Sequence, residues 1–334
     1  MAIKIAVNGF GRIGRMVARV IQNYSDVELV GINDLASLDM ALYLLKYDSV
    51  HGLFPTDVFK IDENNISIAG KKVLYTSYSN PKDIDFGSLG VDVVLECSGV
   101  FLKSQEVKYH LKKGVKKVII SAVAKDETPT FVLGVNQELY SDENIISNGS
   151  CTTNCLAPIA KLLDANYGIE KGLMTTIHSY TNGQNLLDVK HPNDLRRSRA
   201  AAENMIPTTT NAAKGIYKVL PDLKGKLHGQ SVRVPVADVS IMDLNLVLSC
   251  NTDENKINEL LNKASQNELN GIIAVDKEKR VSSDFLGCSF SSVIASDLTQ
   301  VIGGNLVKIM AWYDNESGYS NRLIEMAKYI TKER

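Results

Sequence analysis

The stretch that most limits the fold is Asn8-Gly9-Phe10-Gly11-Arg12-Ile13-Gly14. It follows Ile3-Lys4-Ile5-Ala6-Val7, which reads as a buried strand. Beyond it, Met16, Val17, Val20 and Ile21 fall on one stripe of a helix, and Val27 to Ile32 reads as a second strand ending in Asn33-Asp34. A lone Gly-x-Gly-x-x-Gly says little. In a strand–helix–strand frame, with an acid about 20 residues past the third glycine, it describes a dinucleotide-binding unit. Gly9 makes the tight turn, Gly11 lets a pyrophosphate approach the backbone, and Gly14 lets helix and strand pack closely. The helix N-terminus then offers its free N–H groups to the anion. Asp34 is placed to accept from a ribose 2′-hydroxyl and to repel a 2′-phosphate, which favours NAD over NADP. The alternative is an ordinary turn with incidental glycines and a surface aspartate.

Two more apolar runs end in small residues: Val91 to Cys97 in Ser98-Gly99, and Lys116 to Ile120 in Ser121-Ala122. Ligands of a doubly wound sheet bind at such strand ends. Ser98, Gly99 and Ser121 are therefore candidate cofactor contacts, with plain turn residues as the alternative. Before them, Val58 to Ile61 and Ile66 to Ile68 flank Asp62-Glu63-Asn64-Asn65 and read as a hairpin. At 334 residues, 44% hydrophobic and 22% charged, the chain suits two ordinary globular domains. A net charge of −1 gives no field to attract nucleic acid or an anionic membrane. Five irregularly spaced cysteines do not suggest a disulfide framework. No stretch is long and apolar enough for a signal peptide or a membrane span, so the cytoplasm is the expected compartment.

The chemistry points to Ser150-Cys151-Thr152-Thr153-Asn154-Cys155. It lies between the strand-like Ile145-Ile146-Ser147, closed by Asn148-Gly149, and a helical pattern of Leu156, Ile159, Ala160 and Leu163. Cys151 at a helix start meets free N–H groups and the positive end of the dipole, and both favour thiolate. One helix and one strand further on stands His178, the residue type that activates a cysteine nucleophile. A lone cysteine is more often a small buried hydrophobe. Cys155 raises a redox pair or a metal site as further readings, but no second Cys/His cluster with ligand spacing accompanies it, so no metal is expected. Pro158 breaks the helical pattern, as functional segments do.

After the cysteine segment, Leu173 to Tyr180, Val232 to Val236, Val239 to Ser249 and Val307 to Tyr313 read as long strands. Their alternation predicts a largely antiparallel sheet with one covered face. Glu254 to Gln266, Ser320 to Lys332 and the segment around Ala200 to Met205 read as helical. Residues 182–199 form a long polar loop that is basic near its end. Arg233, alone in an apolar strand, needs a partner: a bound phosphate or carboxylate, or a protein carboxylate.

Taken together, these segments resemble phosphorylating glyceraldehyde-3-phosphate dehydrogenases over essentially the whole chain. The resemblance rests on residues 7–15, Tyr47 to Gly52, Ser150 to Pro158, His178 to Asn182, Leu195-Arg196-Arg197, Arg233-Val234-Pro235 and Tyr313 to Glu316. It implies an α/β fold: a Rossmann-type doubly wound parallel sheet plus an α+β catalytic domain with a mixed, largely antiparallel sheet. Residues 1–150 and 315–334 would form the NAD domain, with the C-terminal helix returning to it, and 151–314 the catalytic domain. The resemblance implies a homotetramer, with Cys151 as nucleophile and His178 as base and activator. Arg12, Ile13, Asp34, Ser121 and Asn315 would contact NAD, with Tyr319 near the nicotinamide. Thr181 and Arg233 match the site for the substrate's C3 phosphate. Ser150, Thr152, Thr210 and Asn211, with Arg197 nearby, match the site for inorganic phosphate.

The implied reaction is the glycolytic and gluconeogenic oxidation of D-glyceraldehyde 3-phosphate with NAD and inorganic phosphate, through a hemithioacetal and a thioester. The sister activity on erythrose 4-phosphate, or a non-catalytic binding role on the same scaffold, is the alternative. Three positions depart from the family pattern: Gly183 for a common Asp, Asn211 for a common Gly and Ser317 for a common Trp.

Overall fold

The computed structural model describes residues 2–112, 114–192, 194–210 and 212–332, apart from the side chains of 212–214. Asn211, expected beside inorganic phosphate, lies outside the described residues. The chain divides into two compact units. The first comprises Met1–Phe131, Gln137–Ser150 and Ser320–Arg334, the second Val132–Asn136 and Cys151–Tyr319.

The first unit contains β1 (Ile3–Asn8), α1 (Arg12–Val20), β2 (Val27–Asn33), α2 (Leu38–Lys46), a small hairpin of β3 (Tyr47–Asp48) and β4 (Gly52–Leu53), β5 (Val58–Asp62), β6 (Asn65–Ile68), β7 (Lys71–Thr76), β8 (Val93–Glu96), α3 (Ser104–Val107), β9 (Lys117–Ile120) and β10 (Ile145–Ser147). Its large sheet has the order β10-β9-β8-β1-β2-β7-β6-β5. It is parallel from β10 to β7 and antiparallel at the β7-β6-β5 end. Strands β8 and β9 are buried at every residue, as expected of parallel strands covered on both faces. The chain leaves β1 toward β2 on one side, and β8 lies on the other. The strand order therefore switches at β1, and its carboxyl end is where such a sheet takes its ligand.

The second unit contains α4 (Cys151–Tyr167), β11 (Ile169–Ser179), β12 (Ile206–Thr209), α5 (Ala212–Val219), β13 (Leu227–Val234), β14 (Ser240–Leu248), α6 (Glu254–Gln266), β15 (Ile273–Asp276), β16 (Ser292–Ala295), β17 (Gln300–Ile302) and β18 (Leu306–Tyr313); α7 (Ser317–Thr331) begins here. The sheet order is β12-β13-β11-β14-β18-β16-β15, with β17 on β18. It is mixed: β11 with β13 and β15 with β16 are parallel, and the other pairs antiparallel. Burial alternates residue by residue along β14, so one face is covered. Met242, Leu244 and Leu246 meet Leu156, Ile159 and Leu163 of α4, with Ile216 of α5 and Ile257 of α6, in one core. Each such side chain contributes about 1.5–3 kcal/mol by leaving water.

Three expectations give way to tertiary context. Residues 200–205 are turns and irregular backbone, not a helix. The amide of Asn204 donates to the Ala200 carbonyl, and Ile206 enters β12, which pairs antiparallel with β13. Pro207 forbids helical continuation and is tolerated because β12 is an edge strand. Residues 132–136 and 315–319 pack in the second unit rather than the first. Val132 and Val135 belong to its core, and Asn315 is bonded to Ser179 and Ser240. The last helix starts at Ser317 rather than Ser320, because the Asp314 carboxylate accepts from the N–H groups of Glu316 and Ser317 at 2.9 and 2.7 Å. Gly318 is required in that first turn: a Cβ there would lie 2.6 Å from the Phe290 carbonyl oxygen.

Candidate active site

In the first unit the three glycines separate by what surrounds them. Gly9 has φ +93°, and a Cβ on it would lie 2.4 Å from Ser98 Cα. A Cβ on Gly14 would lie 2.2 Å from the Gly9 carbonyl oxygen and 3.0 Å from Val7. A Cβ on Gly11 would meet nothing within 4 Å. Gly9 and Gly14 thus serve the turn and the packing, while Gly11 leaves room for a ligand. Gly11 is also the N-cap of α1 and brings no side chain to the helix's first N–H groups. Asp34 accepts from the Phe10 N–H at 2.6 Å through Oδ2 and from the Ala36 N–H at 2.9 Å through Oδ1, so it is anchored at the loop. These residues fit a dinucleotide.

Arg12 is bonded to Asp48 at 2.6 Å. Burial raises the Asp48 carboxyl, but the His51 and Val50 N–H groups and Arg12 outweigh it and hold it at about 2. Ile13 is half-buried in α1. The Ser98 hydroxyl accepts from the Val100 N–H, and Gly99 is left-handed with open space around it. Ser121 meets the Cys97 thiol, which burial pushes up to about 12.

In the second unit Cys151 is the first residue of α4. Its Sγ lies 3.6 Å from His178 Nε2 and 4.0 Å from Thr152 Oγ1. The register of the parallel pair β11·β13 sets His178 beside Arg233, and Arg233 Nη1 lies 2.6 Å from His178 Nδ1 and 2.9 Å from the Ser179 carbonyl oxygen. A guanidinium has only donors, so Nδ1 accepts and the ring proton sits on Nε2, facing sulfur. Nδ1 is also 2.8 Å from the Ser179 carbonyl. That carbonyl would accept from Nδ1 in the other ring tautomer.

Burial raises the Cys151 thiol, and the Arg233 charge and the Thr152 hydroxyl and N–H oppose it. The net direction is upward, so the helix start alone does not leave a free thiolate. Burial and then Arg233 lower His178 to about 3, against the Ser179 carbonyl, which raises it. The ring is neutral at ordinary pH. Unfolding exposes it to protonation below its usual value near 6.5, so its contribution to stability is lost as pH falls from about 6.5 toward 3. Asp314, pushed up to about 7 by burial and by Asp238, acts oppositely between about 4 and 7. The difference between His178→Asn and the unmodified protein therefore isolates the imidazole. The variant's urea midpoint is expected to fall less between pH 7.5 and pH 5.

Behind the thiol, Thr152 Oγ1 lies 3.0 Å from the Tyr313 hydroxyl, which lies 2.6 Å from Thr176 Oγ1. Asn315 Oδ1 accepts from Ser179 and Ser240 hydroxyls at 2.9 and 2.7 Å, so its Nδ2 is the group left to meet a ligand. Tyr319 is buried in the first turn of α7. Thr181 is exposed, and Gln184 Oε1 accepts from its N–H, so Gln184 braces the turn that carries Gly183. Arg197 pairs with Asp194 and donates to the Thr209 carbonyl, next to Thr210. Ser150 ends the Gln137–Ser150 segment of the first unit. Ser317 is buried.

The structure thus brings together Cys151, Thr152, His178 and Arg233. Thr176, Ser240 and Glu96 escape a sequence reading, and Ser179 and Tyr313 enter it only within motifs, without a role. Only Glu96, an acid inside an apolar strand, carried a local signal.

The geometry agrees with comparisons to known proteins. The family model described as "Glyceraldehyde 3-phosphate dehydrogenase, NAD binding domain" matches residues 3–104, and that described as "Glyceraldehyde 3-phosphate dehydrogenase, C-terminal domain" matches residues 150–315. The chain is 50% identical over 330 residues to glyceraldehyde-3-phosphate dehydrogenase 1 of Bacillus cereus, covering 98% of each. It is 48% identical over 332 residues to the Geobacillus stearothermophilus glyceraldehyde-3-phosphate dehydrogenase, covering 99% of this chain and 98% of that one. It is 47% identical over 329 residues to the chloroplastic A form of Zea mays, covering 97% and 81%. Full-length similarity at this level, on a chain whose dinucleotide loop and cysteine–histidine pair are both formed, places it: the chain belongs to the glyceraldehyde-3-phosphate dehydrogenase family.

Proposed function

We propose that this protein oxidises D-glyceraldehyde 3-phosphate to 1,3-bisphosphoglycerate with NAD and inorganic phosphate. The observation that carries this is Cys151 Sγ 3.6 Å from His178 Nε2, with Arg233 bonded to the far side of the same ring. The substrate's C3 phosphate draws on Arg233 and Thr181. Sγ attacks the aldehyde carbon and forms a hemithioacetal. His178, in the tautomer that leaves Nε2 bare, takes the hydroxyl proton. Bound NAD supplies the hydride acceptor. The thioester left on Sγ is attacked by inorganic phosphate near Thr152, Thr210 and Arg197. His178 Nε2–H and the Cys151 N–H stabilise the oxygen that develops charge. The acyl phosphate leaves and Sγ returns.

NADH formation tests this with glyceraldehyde 3-phosphate and with erythrose 4-phosphate, each with and without inorganic phosphate. Phosphate-dependent turnover of the former is expected. Phosphate-independent turnover of erythrose 4-phosphate, or none of either, overturns it.

In this reading the protein works as a homotetramer. Leu186, Leu187, Leu195 and Met205 are 84, 78, 89 and 75% exposed in the second unit, which supports burial against further copies. Among the described residues no helix is long and apolar enough to cross a membrane.

Asp34→Gly is expected to narrow the preference for NAD over NADP by at least about tenfold, the worth of one charged hydrogen bond. Because Asp34 also holds the Phe10 N–H, use of NAD falls too. Steady-state kinetics with both cofactors measure the ratio, and an unchanged ratio refutes the role of Asp34.

A further inference from the structure

Beneath the dinucleotide loop runs a buried polar chain whose direction is set at Asn33, chiefly by the Tyr78 backbone. Tyr78 N–H donates to Asn33 Oδ1 at 2.8 Å. The Asn33 Nδ2 donates to the Tyr78 carbonyl at 2.9 Å and to Asn8 Oδ1 at 2.8 Å. Asn8 Nδ2 in turn donates to Glu96 Oε2 at 2.6 Å. The other Glu96 oxygen accepts from the Ser98 N–H at 3.0 Å. His110 Nε2 lies 3.2 Å from Oε2, while its Nδ1 has no partner. Asn8, Asn33, Glu96 and His110 are each no more than 3% exposed. Both oxygens of Glu96 therefore face obligate donors in a buried place, where a mismatch is expensive.

These side chains join the carboxyl ends of β8, β1, β2 and β7, from which the loop emerges. The backbone ties follow the same line: Cys97 N–H to the Asn8 carbonyl, Gly9 N–H to the Asn33 carbonyl, and Ser121 N–H to the Glu96 carbonyl. The Ser98 turn that Glu96 holds is the surface against which Gly9 packs, with no space for a Cβ. We propose that Glu96 is a positioning residue for the dinucleotide: its two acceptor oxygens close this chain and so fix the Gly9–Gly11 loop against the Ser98 turn in the shape that receives NAD. This rests on NAD being the cofactor and deepens that reading.

Glu96→Gln tests it. An amide has one acceptor and one donor, so its NH2 must face either Ser98 N–H or Asn8 Nδ2. NAD binding, measured by titration calorimetry without substrate, is expected to weaken at least about tenfold. Hydrogen exchange at the Gly9 to Gly11 and Ser98 amides should quicken in the absence of NAD. Iodoacetamide alkylation of Cys151 without NAD should stay unchanged, and kcat at saturating NAD should hold within about twofold, so the loss falls on KM for NAD.

The double variant Asn8→Asp, Glu96→Gln restores complementarity. Asp at 8 accepts from Asn33 Nδ2 and from the new amide, and His110 can move its proton to the unpartnered Nδ1 and accept at Nε2. It should regain NAD binding to within about threefold of the unmodified protein, and it decides the matter if the single variant does not fold. Unweakened binding in Glu96→Gln, or a double variant that neither folds nor regains binding, overturns the proposal. If the unmodified protein binds NAD yet turns over no glyceraldehyde 3-phosphate, the reaction reading fails while the isotherms still judge Glu96.

Discussion

Cys151→Ser is expected to abolish NADH formation, with Cys155→Ser retaining most of it. The two thiols are four residues apart on one helix, yet their surroundings differ. Cys151 heads α4, 3.6 Å from His178 Nε2, and Arg233 and Thr152 both lower its pKa against burial. Cys155 is fully buried in the apolar core of the second unit, and burial pushes its thiol up to about 12. A serine hydroxyl at 151 is a far weaker nucleophile near neutral pH than a thiol that a neighbouring imidazole can activate. The assay is NADH formation with glyceraldehyde 3-phosphate and inorganic phosphate, with mass spectrometry to locate alkylation. Equal loss from both substitutions, or alkylation that falls mainly on Cys155, removes Cys151 as the single nucleophile.

His178→Asn is expected to lower the rate by about 10²–10⁴-fold, the usual contribution of a general acid–base group. The asparagine can still receive Arg233 through its carbonyl, so the variant removes the group facing sulfur without stranding a buried charge. Alkylation of Cys151 should shift to higher pH, because the sulfur loses its Nε2–H partner. An unchanged alkylation profile would show that the imidazole does not act on the thiol. Arg233→Gln is the companion measurement. It frees Nδ1 to donate to the Ser179 carbonyl, so alkylation should change while the thiol itself remains in place.

The local features of this chain were legible because contiguous residues encode them. The glycine spacing, the apolar runs on either side and Asp34 at a strand end lie within a few turns of backbone, and turn chemistry and side-chain period act at that range. The structure places Gly9, Gly11 and Gly14 where those rules put them. Cys151 likewise starts its helix after a left-handed Gly149. Features that depend on register were not legible. The protein partners of Arg233 are the His178 ring and the Ser179 carbonyl rather than a carboxylate, because β11 and β13 align residues 55 apart. Residues 200–205 have the composition of a helix, but β12 is drawn to the free edge of β13, whose hydrogen bonds a local propensity cannot weigh. The same holds for Glu96: the sequence shows an acid in an apolar strand, but only the packing of four strand ends fixes which way each amide points, and hence why both of its oxygens must accept.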